Sequence, residues 1–187
     1  MSGTGDIAQA VLALGSNLGD REATIRAALM DIDATPGLRV VSASGLVESG
    51  ALKLTGLDDS APRYLNAVVL VEAAVTPLDL LDAVNAIEVR HGRVRDTAWG
   101  DRTLDIDVIT FADVQLRSDR LTLPHPRAWQ RAFVLAPWLQ VDADAVIPGH
   151  GRVADLLATV DDVVWEFPAE PLPGTATKTS AGRGAPE

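Results

Sequence analysis

Apolar residues along the chain recur with two different spacings, and the places where one spacing gives way to the other mark the predicted elements. Ala8 to Leu14 is a short apolar run closed by Gly15-Ser16-Asn17-Leu18-Gly19-Asp20, which reads as a strand and a tight turn. From Asp20, a residue suited to a helix N-cap, Ile25, Ala28, Leu29 and Ile32 return at helical spacing until Thr35-Pro36-Gly37. Leu38 to Val47 predicts a second strand and Tyr64 to Ala74 a third, on which Tyr64 and Asn66 share one face and Leu65 and Ala67 the other. Between them, residues 48–63 hold two glycines, a proline and a cluster of polar residues, and predict a long mobile loop of the kind that serves as a lid.

Thr76-Pro77 opens a second helix with Leu80, Leu81, Val84 and Ile87 as its buried stripe. Asn85 and Glu88, three apart, lie on another face, where a lone Glu ordinarily meets water. A glycine-bounded loop over 92–100 carries Arg93, Arg95 and Trp99, and Thr103 to Ala112 is the fourth main strand. Val114 to Leu116 and Leu121 to Leu123 predict short strands around a polar turn. Pro124-His125-Pro126 leads into a short helical segment with Trp129 and Phe133 four apart. A further helical turn is expected over Ala136 to Val141, and a last helix over Val153 to Val160. Residues 168–187 have no pattern and predict a disordered tail behind one domain over 1–167. The order strand, helix, strand, strand, helix, strand matches a ferredoxin-like α+β core, a mainly antiparallel sheet with helices on one face. That fold hosts many functions and supplies none by itself.

Chemistry enters through the fourth strand. Leu104, Ile106 and Val108 point one way, Thr103, Asp105 and Asp107 the other, so two carboxylates stand side by side. Their repulsion is relieved by a cation between them, and hard oxygen ligands in a chain with no cysteine suit Mg²⁺. The same pattern also fits the polar face of an edge strand.

Composition narrows the partners. A net charge of −10 argues against general nucleic-acid binding, and no apolar run approaches a membrane span. The absence of cysteine fits a cytoplasmic protein, and no signal peptide is expected. Yet eight of the 14 arginines fall between Arg90 and Arg131, which suggests a small polyanion held locally. Phosphoryl-type transfer needs a metal on phosphate oxygens, cations for developing charge and a pocket for the acceptor. Asp105 and Asp107 can supply the first, and Arg93, Arg95, Arg102, Arg120 and Arg131 the second, with His125 as a further donor. Tyr64, Asn66, Trp99 and Phe133 can supply a flat, partly polar slot for a planar heterocycle.

The segments Leu14-Gly15-Ser16-Asn17-Leu18-Gly19, Tyr64-Leu65-Asn66-Ala67, Gly92-Arg93-Val94-Arg95, Trp99-Gly100-Asp101-Arg102-Thr103-Leu104-Asp105-Ile106-Asp107 and Leu123-Pro124-His125-Pro126 resemble the 6-hydroxymethyl-7,8-dihydropterin pyrophosphokinases of folate biosynthesis. The resemblance runs from about Val11 to Leu157 and rests above all on Arg-Thr-Leu-Asp-x-Asp followed by Pro-His. It implies transfer of diphosphate from ATP to a reduced pterin with two Mg²⁺ ions on Asp105 and Asp107; a monomer is expected. It further implies catalytic roles for Arg93, Arg95, Arg102, Asp105 and Asp107. ATP contacts would come from Asn85, Glu88, Arg95, Trp99, Arg102, Arg120, Thr122, His125 and Arg131. Ser49, Leu52, Tyr64, Asn66, Trp99 and Phe133 would hold the pterin, with Arg93 and Arg95 on a loop that closes over the nucleotide. The alternative is a non-catalytic pterin- or nucleotide-binding module on the same scaffold.

Overall fold

The computed structural model describes residues 7–53, 56–58, 62–92 and 103–174, with backbone only for 51–53 and 56–58. The first strand, β1 (Ala8–Ser16), leads into α1 (Arg21–Asp33), and Asp20 caps that helix by accepting the Ala23 N–H at 3.0 Å. Two short strands follow, β2 (Leu38–Ala43) and β3 (Val47–Ser49), then a small hairpin of β4 (Ala51–Lys53) and β5 (Gly56–Asp58). The long strand β6 (Tyr64–Ala73) precedes α2 (Pro77–Arg90), where Thr76 and Asp79 form a reciprocal capping box. Next come β7 (Asp105–Phe111) and the β8 (Leu116–Arg117) to β9 (Thr122–Leu123) hairpin. A 3₁₀ turn over Ala128–Gln130 enters α3 (Ala132–Val141). The chain then passes through β10 (Val146–Ile147), β11 (Gly151–Arg152), α4 (Val153–Leu157) and β12 (Val164–Glu166).

In the main sheet β7 pairs with β1 and β1 with β6, while β2 and β3 share the far side of β6 and β12 lies outside β3. Every one of these pairings is antiparallel, as the ferredoxin-like prediction requires. One face carries Leu12 and Leu14 of β1, Leu65, Val69 and Val71 of β6, and Ile106 and Val108 of β7. It packs on Ile25, Ala28, Leu29 and Ile32 of α1 and on Leu80, Val84 and Ile87 of α2. Each leucine or isoleucine so buried contributes about 2 kcal/mol.

The expectation of helices on one face is corrected by the other face. There Val11, Val68, Leu70 and Ile109 pack against Val134, Leu135 and Trp138 of α3 and Val153 of α4. Helix α3 is apolar nearly all round, so it needs cover on several sides. It is one helix with Pro137 inside it, not a separate turn from Ala136.

Two further expectations are revised. Residues 48–63 were predicted as a loop, but β3, β4 and β5 occupy much of that stretch. Residues 168–174, predicted as part of a patternless tail, pack back on the domain. Leu172 is 3% exposed in the core, and Gly174 C=O accepts the Ala43 N–H at 3.3 Å. The remainder of that predicted tail lies outside the described residues.

Candidate functional site

Strand register assembles the site. Asn66 of β6 stands opposite Gly15 of β1, and Gly15 opposite Asp105 of β7. Neighbouring strands lie about 4.8 Å apart, so Asn66 and Asp105 flank a glycine floor roughly 10 Å wide. A Cβ on Gly15 would meet Asn66 Oδ1 at 3.3 Å and Tyr64 Cδ1 at 3.7 Å. The missing side chain therefore leaves the floor open, and Gly15 is a site residue that the turn reading of 15–19 passed over. Its signal was a glycine at the end of an otherwise apolar strand, the mark of close approach by another group.

On the β6 side, Asn66 is 4% and Ser49 6% exposed, and the Asn66 Nδ2 donates to Ser49 Oγ at 3.0 Å. Ser49 faces Tyr64 across the β3–β6 ladder, and Val47 faces Asn66. An antiparallel pair shares a face, so Ser49, Tyr64 and Asn66 present polar atoms and a ring to the same space. The backbone of Leu52 lies in β4, directly after this edge.

On the β7 side, Asp107 lies opposite Ala13, one step along the same face from Asp105. Both carboxylates are half-buried, and their Cα atoms are about 7 Å apart by strand geometry. The segment crossing this face supplies a guanidinium and an imidazole. Arg131 Nη1 is 3.7 Å and His125 Nε2 3.8 Å from Asp107 Oδ2. The Arg131 guanidinium also sits 5.5 Å from the Phe133 ring centroid, which joins the charged groups to an aromatic wall.

His125 is held from two sides. Its backbone N–H donates to Ile109 C=O at 2.8 Å, and its Nδ1 accepts the Arg127 N–H at 3.2 Å. With Nδ1 an acceptor, the neutral ring carries its proton on Nε2, the nitrogen nearer Asp107. Burial lowers the His125 pKa from its usual value, with Arg131 and Arg127 adding to the effect and Asp107 and Asp105 opposing it. The shift favours the neutral ring, with its N–H donor on Nε2. Arg127 joins the site's electrostatics through this effect, a role no sequence pattern signalled.

Glu88 departs from the solvated position expected of a lone helix Glu. It is 1% exposed, and its Oε1 accepts the Ile106 N–H at 2.8 Å, between the two aspartates. Strand β7 ends the sheet, and an edge N–H buried under a helix needs such a partner. Asp82, Asn85 and Glu88 follow one another by three and so run along one stripe of α2. Asp82 pairs with Arg120 of the β8–β9 turn, which places half-buried Asn85 along the outer edge of β7. Thr122 lies in the same hairpin, paired with Arg117. Arg120, engaged with Asp82, does not join Arg131 and His125 at Asp107. Arg93, Arg95, Trp99 and Arg102 lie outside the described residues.

The donor set fits a hard divalent cation. Two carboxylates on one strand face leave most coordination positions for water and phosphate, which suits Mg²⁺. Among the described residues there is no cluster of three His, Cys, Asp or Glu that would make a closed, all-protein site.

A family model for 7,8-dihydro-6-hydroxymethylpterin-pyrophosphokinase (HPPK) matches residues 11–143. A 2-amino-4-hydroxy-6-hydroxymethyldihydropteridine pyrophosphokinase of Pseudomonas aeruginosa is 41% identical over 152 residues, 81% of this chain and 91% of that protein. One from Methylorubrum extorquens is 40% identical over 82% of this chain and 94% of that protein. Among solved structures, a Plasmodium falciparum HPPK-DHPS has a TM-score of 0.64 at 14% identity and 84% coverage of this chain. That likeness concerns the fold alone, and the chain spans 46% of that longer protein.

Proposed function

The chain belongs to the 7,8-dihydro-6-hydroxymethylpterin-pyrophosphokinase family, and from that premise we propose how its site divides the work. It is a pyrophosphokinase of folate biosynthesis, passing diphosphate from ATP to 6-hydroxymethyl-7,8-dihydropterin and leaving AMP. The hydroxymethyl oxygen bonds to the β-phosphorus, the bond between that phosphorus and the bridging oxygen to the α-phosphate breaks, and the alcohol proton leaves.

The pterin lies over Gly15 between the Asn66–Ser49 pair and the carboxylate strand. Asn66 and Ser49 read its polar edge, and Tyr64 and Phe133 hold its rings. Asp105 and Asp107 would hold Mg²⁺, two ions in the full assembly, which when bound would supply charge neutralisation for the phosphates. Arg131 and the His125 Nε2–H take phosphate oxygens on the same side, where charge grows as AMP departs. Asn85 and Thr122 flank the nucleotide at the outer edge of β7. Arg93, Arg95, Arg102 and Trp99, outside the described residues, keep the nucleotide and pterin roles that the family resemblance implies. Excluding water there directs diphosphate to the pterin alcohol rather than to solvent. Glu88 acts on the aspartates through the strand that bears them, not on ATP directly. The protein works as a monomer.

The observation that carries this reading is the row Asn66–Gly15–Asp105, which sets a polar slot beside a carboxylate pair on one sheet face. Supplied with ATP, Mg²⁺ and the pterin alcohol, the protein yields AMP and pterin diphosphate. ADP as the nucleotide product, or no pterin-dependent ATP consumption, would overturn it.

A further inference from the structure

The pterin half of the site is fastened from its back by a segment that lies beyond the family match at residue 143. Strand β3 has three residues, too few to hold a fixed place by its ladder with β6 alone. Its other edge is taken by β12, in register Val164 to Ser49, Trp165 to Glu48 and Glu166 to Val47. Phe167 N–H extends the ladder to Leu46 C=O at 3.0 Å.

The side chains divide between the two faces. Ser49, Tyr64 and Asn66 turn to the slot, while Glu48, one residue off in register, turns to the opposite face. On that face Glu48 accepts Arg21 at 2.9 Å and faces Arg63 at 3.6 Å, and Arg21 Nη1 donates to Arg63 C=O at 2.8 Å. Trp165 covers the Arg63 guanidinium at 4.3 Å from its ring centroid, and Phe167 lies 5.8 Å from that of Arg21. Arg63 immediately precedes Tyr64, so the cluster grips the first residue of the slot as well as β3. Past β12 the chain is pinned again: Arg26 of α1 donates to Glu170 and Pro171 carbonyls, and Leu172 is buried.

We propose that the strap over residues 164–174 is a positioning element for pterin recognition, and that Trp165 is its key positioning residue. Trp165 is 42% exposed, so it is not a core side chain whose loss unfolds the domain. By stacking on Arg63 it keeps Arg63 and Glu48 together, which holds Ser49 against Asn66 and orients that amide toward the pterin. The proposal rests on the reading that Ser49, Tyr64 and Asn66 bind the pterin.

Steady-state kinetics of the full chain, with pterin and ATP varied separately, tests it. Trp165→Ala is expected to raise the pterin KM about tenfold while kcat and the ATP KM stay within about twofold, the pattern of lost substrate binding. Trp165→Phe, which keeps a ring over Arg63, is expected to restore most of the loss. Asn66→Ala separates the two levels: a pterin KM unmoved by that change overturns the slot reading itself. A pterin KM raised by Asn66→Ala and unmoved by Trp165→Ala overturns the strap alone. Equal losses toward both substrates in Trp165→Ala, or no recovery in Trp165→Phe, also overturn it.

Discussion

The two halves of the site are built from opposite materials. The half proposed to hold the pterin consists of neighbouring strands, β1, β6 and β3, with small polar side chains at 4% to 6% exposure and a glycine floor. The half proposed to hold the nucleotide sits at a sheet edge, with half-buried carboxylates and with Arg131 and His125 between 3.7 and 3.8 Å from Asp107. A neutral heterocycle is distinguished by hydrogen bonds whose loss leaves buried groups unpaired, so rigidity serves it. A polyphosphate is met by charge at longer range, with metal ions and water filling the gaps. The comparison predicts that changes in the first half act on pterin KM, and changes in the second on kcat and on ATP.

The largest expected effect is at Asp107. Asp107→Ala should lower kcat on the order of a thousandfold, the scale for removing a group aimed at developing charge. Far-UV circular dichroism should be unchanged, because the side chain is 35% exposed. A kcat within tenfold of the parent would break the assignment of this half.

Next in size, Asn66→Ala removes a buried amide that donates to Ser49 Oγ, and the pterin KM should rise between about ten- and a hundredfold. The ATP KM should hold. A matching rise in the ATP KM would erase the distinction between the halves.

Glu88→Ala probes the support beneath both aspartates. It leaves the buried Ile106 N–H without its 2.8 Å acceptor and should cost about 2 kcal/mol in denaturant unfolding, with a lower kcat. Unchanged stability would show that the edge of β7 is held by other means. Gly15→Ala is milder. Its Cβ, 3.3 Å from Asn66 Oδ1, should raise the pterin KM a few-fold, on the order of 1 kcal/mol of crowding.

The smallest effect concerns protons. In metal-free protein the His125 ring should titrate below 6.5, followed by NMR of its ring protons. Because the folded pKa lies below the unfolded one, the unfolded state takes the proton first as pH falls. The stability linked to His125 is therefore full above 6.5 and is lost as pH drops through the folded pKa. A ring that titrates above 6.5 would make it a cation, not a neutral donor.

The sequence was most legible where period and register coincide. Asp105 and Asp107 on one face of β7, and Tyr64 and Asn66 on one face of β6, follow from alternation alone. Asp20 as the α1 N-cap follows from side-chain chemistry. The segment 48–63 hid its strands because three-residue strands have too few alternations to show a period, and β3 is held in part by β12, more than a hundred residues on. Glu88 was hidden because its burial depends on which strand ends the sheet. The packing of 168–174 was hidden because it is held by Arg26 on backbone carbonyls and by one leucine, features without a pattern.

The central claim is that Asp105 and Asp107 are where metal and ATP meet. Calorimetry of a non-hydrolysable ATP analogue, with and without Mg²⁺, tests it in the parent protein and in Asp107→Asn. In the parent, Mg²⁺ should tighten binding at least about tenfold, and in the variant that gain should vanish. The same Mg²⁺ dependence in both proteins would contradict the claim.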